Sequence, residues 1–206
     1  MEGQRLRAGF QSILLIVLGN HNLYETDPGE ITYEVRKWVI DPYYDNNTLN
    51  GYDIAIIQLK EKVRFNKYVD TACLPENTEY TDDKTVLISG WGSTTQRNAS
   101  QPPNYDKSAI LQKASVKIVN SRMCQIMYAV PNQNGETAII RFGMMCAASP
   151  GKSSCQGDSG GPLFSQETTS KGYQKSKLIG IVSGGLGCGL NIPTWYTRVS
   201  IKNIIT

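Results

Sequence analysis

Ser154-Cys155-Gln156-Gly157-Asp158-Ser159-Gly160-Gly161-Pro162 is the stretch on which the reading of this chain turns. Its glycines leave backbone amides without a Cβ to shield them, so that an outside carbonyl can approach their N–H groups closely. Taken alone, the same stretch is also a Gly-rich turn with an exposed serine, the ordinary meaning of a lone Gly-x-Ser.

Outward from this loop, short segments rich in Val, Ile, Thr and Tyr alternate with clusters of Gly, Pro, Asn and Asp, which is an all-β pattern. Alternation and β-branched content predict strands over Ile31 to Ile40, Ile54 to Leu59, Val86 to Ser89, Ala114 to Val119, Lys177 to Val182 and Trp195 to Val199. One helix is expected near 121–128, where Asn120-Ser121 offers a capping side chain ahead of Met123, Ile126 and Met127 at helical spacing. A second short helix is expected over Ser200 to Thr206. The polar stretches Gln96 to Lys107 and Ser165 to Ser176 read as long surface loops, and the first also reads as a boundary between two halves.

With 206 residues, 40% hydrophobic and 19% charged, the chain can bury one large or two small cores. Its net charge of +3 comes from 21 basic and 18 acidic residues with no basic run and no basic stripe among aromatics, which argues against a nucleic-acid partner. Five cysteines admit metal ligands, reduced core thiols or disulfides, although no Cys-x-x-Cys zinc knuckle is spelled. Glycosylation sequons stand at Asn46-Asn47-Thr48 and Asn98-Ala99-Ser100, both in polar stretches that read as loops.

Arg5 and Arg7 precede the apolar run Ile13 to Leu18 as basic residues precede the core of a secretory signal. Glu2, Gln11 and Ser12, and the want of a small-x-small cleavage site that spares the domain, count against that reading. The run is too short to span a bilayer, so no membrane partner is expected.

The loop around Ser159 resembles, residue for residue, the nucleophile loop of the chymotrypsin and trypsin family of serine proteases. Ile88-Ser89-Gly90-Trp91-Gly92, Ala72-Cys73-Leu74-Pro75 and Tyr196-Thr197-Arg198-Val199 resemble other landmarks of that family in the same order, so the resemblance runs from about Val17 to Val199. It implies two packed antiparallel β-barrels, an incomplete first one over 1–103 and a second over 104–206 that bears the nucleophile and the specificity pocket. It also implies a serine endopeptidase working through an acyl-enzyme, with Ser159 as nucleophile and the N–H groups of Gly157 and Ser159 as oxyanion hole. No cofactor is implied; the partners are protein or peptide substrates and protease inhibitors, and the setting is secreted or extracellular.

Tyr52-Asp53-Ile54-Ala55-Ile56-Ile57-Gln58-Leu59 resembles the family's Asn-Asp-Ile-Ala-Leu segment, which makes Asp53 the carboxylate that orients the catalytic imidazole. By itself Asp53 reads as a turn residue ahead of a strand. The imidazole should come from an Ala-Ala-His-Cys segment upstream, and no such segment is present. His21 is the one histidine, and Leu18-Gly19-Asn20-His21-Asn22 resembles a family segment that follows the catalytic histidine. The family's Ile-Val-Gly-Gly amino terminus, which pairs with the aspartate at the position of Asp158, is missing too.

The resemblance pairs Cys124 with Cys146 and Cys155 with Cys188, and leaves Cys73 to bond with an N-terminal segment this chain lacks. Ser153 falls where the family's pocket base lies, with Ser183, Gly185 and Thr194 along the pocket walls, and a serine instead of aspartate at the base argues against Lys or Arg selection. Small or medium apolar side chains are expected there. Asp27 and Glu30 resemble a weak calcium loop in which Asn20 replaces a carboxylate. Three readings follow: a fragment of an active endopeptidase, a non-catalytic homologue that binds partners in the old cleft, and a free-standing enzyme, with the fragment preferred.

Overall fold

The computed structural model describes residues 13–75, 82–98, 106–129, 137, 139–170 and 172–199. Three antiparallel strands open the chain: β1 (Leu15–Leu18), β2 (Ile31–Ile40) and β3 (Ala55–Leu59), in the order β1-β2-β3. This sheet does not close among the described residues, and Trp38, Val39, Ile40, Ile56 and Ile57 stand exposed. The apolar run read above as a possible leader is thus partly a strand, with Leu15 paired to Glu34 and Leu18 to Ile31.

The remaining elements are β4 (Thr85–Gly90), β5 (Arg97–Asn98), β6 (Gln112–Val119), α1 (Ser121–Tyr128), β7 (Met144–Ala148), β8 (Pro162–Thr168), β9 (Gln174–Gly184), β10 (Gly187–Cys188) and β11 (Thr194–Arg198). Six of them close a barrel in the order β11-β7-β6-β4-β8-β9, while β5 pairs with β10. The fold is therefore mostly β, with a closed barrel, an open sheet and, among the described residues, one short α-helix. Strand β4 belongs to the closed barrel although it precedes residue 104.

Val86, Ile88, Val116, Ile118, Leu163, Ile179 and Tyr196 fill the barrel, and period-2 alternation puts Lys113 and Lys117 of β6 on its outside. Strand β7 went unpredicted because it is apolar on both faces. Met145 and Ala147 enter the barrel core, whereas Met144 and Cys146 pack in a second cluster with Cys124 and Tyr128 of α1. Such a strand shows no polar alternation.

Asn120 caps α1 as expected, its side chain accepting from the N–H groups of Arg122 and Met123. The buried face is not the expected one: Met123, Ile126 and Met127 are exposed, and Cys124 and Tyr128 are buried. The Cys124–Cys146 disulfide, the Tyr128 hydroxyl on the Pro193 carbonyl and the edge-on contact of Tyr128 with Trp195 turn that face inward.

The expected loop at Ser165 to Ser176 is instead a hairpin, with Ser165 to Thr168 paired to Lys177 to Gln174 and a turn closed by Thr169 and Tyr173. Polar residues occupy its outer part, where Lys177 bonds Glu167 at 3.1 Å, so hydrophobic alternation was missing while the backbone ladder remained. Within Gln96 to Lys107, Arg97 and Asn98 pair with β10, so Asn98 lies on a strand and not in a loop; residues 99–105 fall outside the described ones. Asn46 is exposed on a loop, as expected of a sequon. The expected helix at Ser200 to Thr206 also lies outside the described residues.

Candidate active site

The loop from Cys155 to Gly161 is built around its own aspartate. Asp158 turns its carboxylate inward, Oδ1 accepting from the Gly92 N–H at 2.8 Å and Oδ2 from the Cys155 N–H at 2.9 Å. These two amides are partners that the sequence did not reveal. The close approach explains the glycines of Ser89-Gly90-Trp91-Gly92: a Cβ at Gly90 would lie 2.0 Å from Asp158 Oδ1, and one at Gly92 would lie 2.5 Å from its Cγ.

Backbone bonds then fix the loop to β9. Gly160 N–H donates to the Val182 carbonyl at 2.9 Å, and the Val182 N–H donates to the Gly161 carbonyl at 2.9 Å. A disulfide between Cys155 and Cys188 holds the other end to β10. Gly157 has φ +95°, a conformation that a side chain would strain. Ser159 is exposed at the wall of a cavity of about 150 Å³ that Gln156, Val182, Gly184, Gly185 and Thr194 also line.

Asp53 is half-buried between Tyr52 and β3. The Ser183 hydroxyl donates to its Oδ2 at 2.7 Å, and the Thr197 hydroxyl donates to its backbone carbonyl at 2.8 Å. Both donors belong to the closed barrel, so Asp53 is positioned across the junction with the open sheet. Consecutive residues of β9 therefore serve both groups: Val182 holds the Ser159 loop and Ser183 holds Asp53. Sequence reasoning put Ser183 in the pocket wall and missed Thr197 altogether, since neither link can be read without the placement of one sheet on the other.

Of the expected pocket residues, Gly185 and Thr194 line the cavity beside Ser159, and Ser153 and Ser183 do not. Ser153 lines an adjoining cavity of about 240 Å³ with Gly90, Gly92 and Asp158. Its hydroxyl accepts from the Gly189 N–H at 2.8 Å and donates to the Ser154 carbonyl at 3.1 Å. Ser154 lines both cavities; it is buried, with its hydroxyl 2.8 Å from that of Tyr196.

His21 is an exposed turn residue. Its N–H donates to Asp27 Oδ2 at 2.6 Å, and its carbonyl accepts from the Trp91 indole at 3.0 Å and the Leu111 N–H at 2.9 Å. Among the described residues no hydrogen bond or ion pair joins its imidazole to Asp53 or Ser159.

In the neighbouring loop the two candidate calcium carboxylates, Asp27 and Glu30, take hydrogen bonds from the loop itself. Backbone N–H groups of Asn22 and then His21 occupy the Asp27 carboxylate and hold its pKa below the usual carboxylate value. The Asn20 amide nitrogen donates to Glu30 Oε2 at 2.7 Å, while its Oδ1 is buried without a partner among the described residues. Both candidate carboxylates are thereby engaged in closing the loop on itself.

Cys73 carries a free thiol, half-buried, and its backbone bridges to β9 through Ser176 and Leu178. No helix among the described residues is long and apolar enough to cross a membrane.

The chain matches the sequence profile of the Trypsin family over residues 7–205. It is 34% identical over 199 residues to chymotrypsin-like elastase family member 1 of Canis lupus familiaris, covering 92% of this chain and 71% of that protein. With phenoloxidase-activating factor 3 of Holotrichia diomphalia it shares 40% identity over 163 residues, covering 77% of this chain and 42% of that protein. Ovochymase of Halocynthia roretzi is 37% identical over 177 residues, which are 85% of this chain and 10% of that protein. A profile match over nearly the whole length, on a closed barrel with a disulfide-held Gly-Asp-Ser-Gly loop, places this chain in the trypsin family of serine proteases.

Proposed function

We propose that the chain carries the serine side of an endopeptidase cleft, with Ser159 as nucleophile, Asp53 as the orienting carboxylate and the N–H groups of Gly157 and Ser159 as oxyanion hole. The observation that carries this reading is the double duty of β9, where Val182 fixes the Ser159 loop and Ser183 fixes Asp53. An extended protein or peptide segment, or the exposed loop of a protease inhibitor, is the partner that such a cleft accepts. The two disulfides suit a secreted, oxidising setting.

A serine hydroxyl needs a base to take its proton, and the one histidine of this chain, His21, lies in a turn elsewhere, its backbone N–H on Asp27. Alone, the chain binds peptide and does not form an acyl-enzyme. A fluorophosphonate probe is expected to leave it unlabelled, while a product peptide shifts the amide resonances of Gly157, Ser159 and Gly185. Labelling at Ser159 would overturn the inactivity; shifts confined to other regions would overturn the cleft.

A further inference from the structure

Three exposed aromatic side chains gather at one cavity away from the Ser159 loop. Tyr43, Tyr52 and Phe142 are 74%, 49% and 86% exposed, and all three line a space of about 420 Å³. Neither cavity at the Ser159 loop shares a lining residue with it. Its volume falls within the roughly 300–1,000 Å³ of small-molecule sites. Aromatic surface left in water and collected on one concave patch is the mark of a binding site, where scattered exposure would mean nothing.

The backbone is bent to hold one of these rings in place. Gly51 and Tyr52 both have positive φ, +80° and +59°, and a tyrosine seldom adopts that conformation. The Ile54 N–H donates to the Tyr52 carbonyl at 2.8 Å, closing the turn over Asp53. The Tyr52 ring then meets that of Tyr43, with centroids 5.4 Å apart. Strained residues of this kind cluster at ligand sites.

Charge at the cavity sets the sign of the guest. Arg141 and Arg198 line it against the one carboxylate of Asp41, whose Oδ1 accepts from the Tyr43 N–H at 2.9 Å. Arg141 is exposed, and its guanidinium donates to Asn50 Oδ1 at 3.3 Å, long for such a bond. No carboxylate lies within ion-pair distance of Arg141 among the described residues. Asp45, which feels the Arg141 charge, is bonded to the Asn47 N–H and the Asn50 amide and does not line the cavity. A guanidinium with donors to spare pairs best with a carboxylate, which it can grip through two parallel N–H groups.

We propose that this cavity is a second ligand site, which takes an aromatic ring bearing a carboxylate on a short arm. The ring lies among Tyr43, Tyr52 and Phe142, and the carboxylate meets Arg141. The site does not rest on the reading of the peptide cleft, and either can fail while the other stands.

Three probes with one ring test it: indole-3-acetate, its neutral amide indole-3-acetamide, and tryptamine, which carries an ammonium instead. Each is titrated into the isotope-labelled intact chain and followed by amide NMR. Indole-3-acetate is expected to shift Gly51, Tyr52 and Gly143 and to bind about tenfold more tightly than the amide, as a charged hydrogen bond outweighs a neutral one. Tryptamine is expected to bind more weakly than either. Arg141→Gln, at an exposed position, is expected to erase the preference for the acetate and to leave the amide's affinity as it was. Phe142→Ala, also exposed, is expected to weaken acetate and amide alike. If the amide or tryptamine binds as tightly as the acetate, or the preference survives Arg141→Gln, the carboxylate pairing is wrong and the proposal falls. It falls equally if no probe shifts those three amides, or if Phe142→Ala binds like the wild type.

Discussion

The Ser183 hydroxyl lies 2.7 Å from Oδ2 of Asp53 and donates to it, so a strand of the closed barrel fixes a carboxylate that enters from the open sheet. With the Thr197 hydroxyl on the Asp53 carbonyl at 2.8 Å, it anchors the segment ahead of β3 to the barrel. Ser183→Ala leaves the carboxylate without this donor and is expected to lower stability by about 1–2 kcal/mol, the range for a hydrogen bond to a partly exposed charged group. Urea unfolding measures it, and an unchanged midpoint would mean that the bond contributes nothing to holding Asp53.

The two disulfides should divide in their consequences. Cys124–Cys146 and Cys155–Cys188 span 22 and 33 residues, so loop-closure entropy assigns each about 3–4 kcal/mol. Only the second holds the Ser159 loop. Cys155→Ser with Cys188→Ser is expected to lose peptide binding, whereas Cys124→Ser with Cys146→Ser loses comparable stability and keeps the binding of its folded fraction. Calorimetry and peptide titration on both pairs decide this, and equal loss of binding would remove the distinction.

Much of this arrangement was legible in the sequence, for physical reasons that also mark the limits. Strand β2 matched its prediction from Ile31 to Ile40 because its residues are β-branched or aromatic at short intervals. Helix α1 was legible from the cap at Asn120, but its buried face follows Cys124 and Tyr128, whose partners come from β7 and the chain before β11. Ser159 and Asp53 were singled out through motifs that are local in sequence. The bonds from Ser183, Thr197 and Gly92 join residues 66 to 144 positions apart, and no local pattern encodes them. Ser153 and Ser154 are neighbours of the same type, yet only Ser154 lines the cavity beside Ser159 as well as the adjoining one, a distinction set by loop conformation and not by residue type.

Burial pushes the Tyr196 hydroxyl up to about 12, against about 10 in an unfolded chain. Below pH 10 neither state releases this proton and the full stability is present. Between pH 10 and pH 12 the unfolded chain ionises and the folded one does not, so stability falls by about 1.4 kcal/mol per unit. The loss by pH 12 is about 2–3 kcal/mol from this group. Burial also raises the Tyr128 hydroxyl, which adds to the fall in the same direction. Urea melts from pH 9 to pH 12 are expected to show a shallower decline in Tyr196→Phe than in the wild type, and parallel declines would refute the assignment.

The packing of Asp158 against two glycines gives a test of how the Ser159 loop is shaped. A methyl group at Gly90 would stand 2.0 Å from Asp158 Oδ1, so Gly90→Ala must push out a carboxylate that two backbone amides hold. Overpacking of this kind costs about 1–3 kcal/mol. Asp158→Ala alone is also destabilising, because the Gly92 and Cys155 N–H groups lose their acceptor. In the double variant the clash has gone, and the combined cost is expected to fall short of the sum by about 1–3 kcal/mol. Denaturant unfolding of the four proteins gives this coupling directly. Strict additivity would mean that Gly90 is free of the carboxylate and that the inward turn of Asp158 does not set the loop.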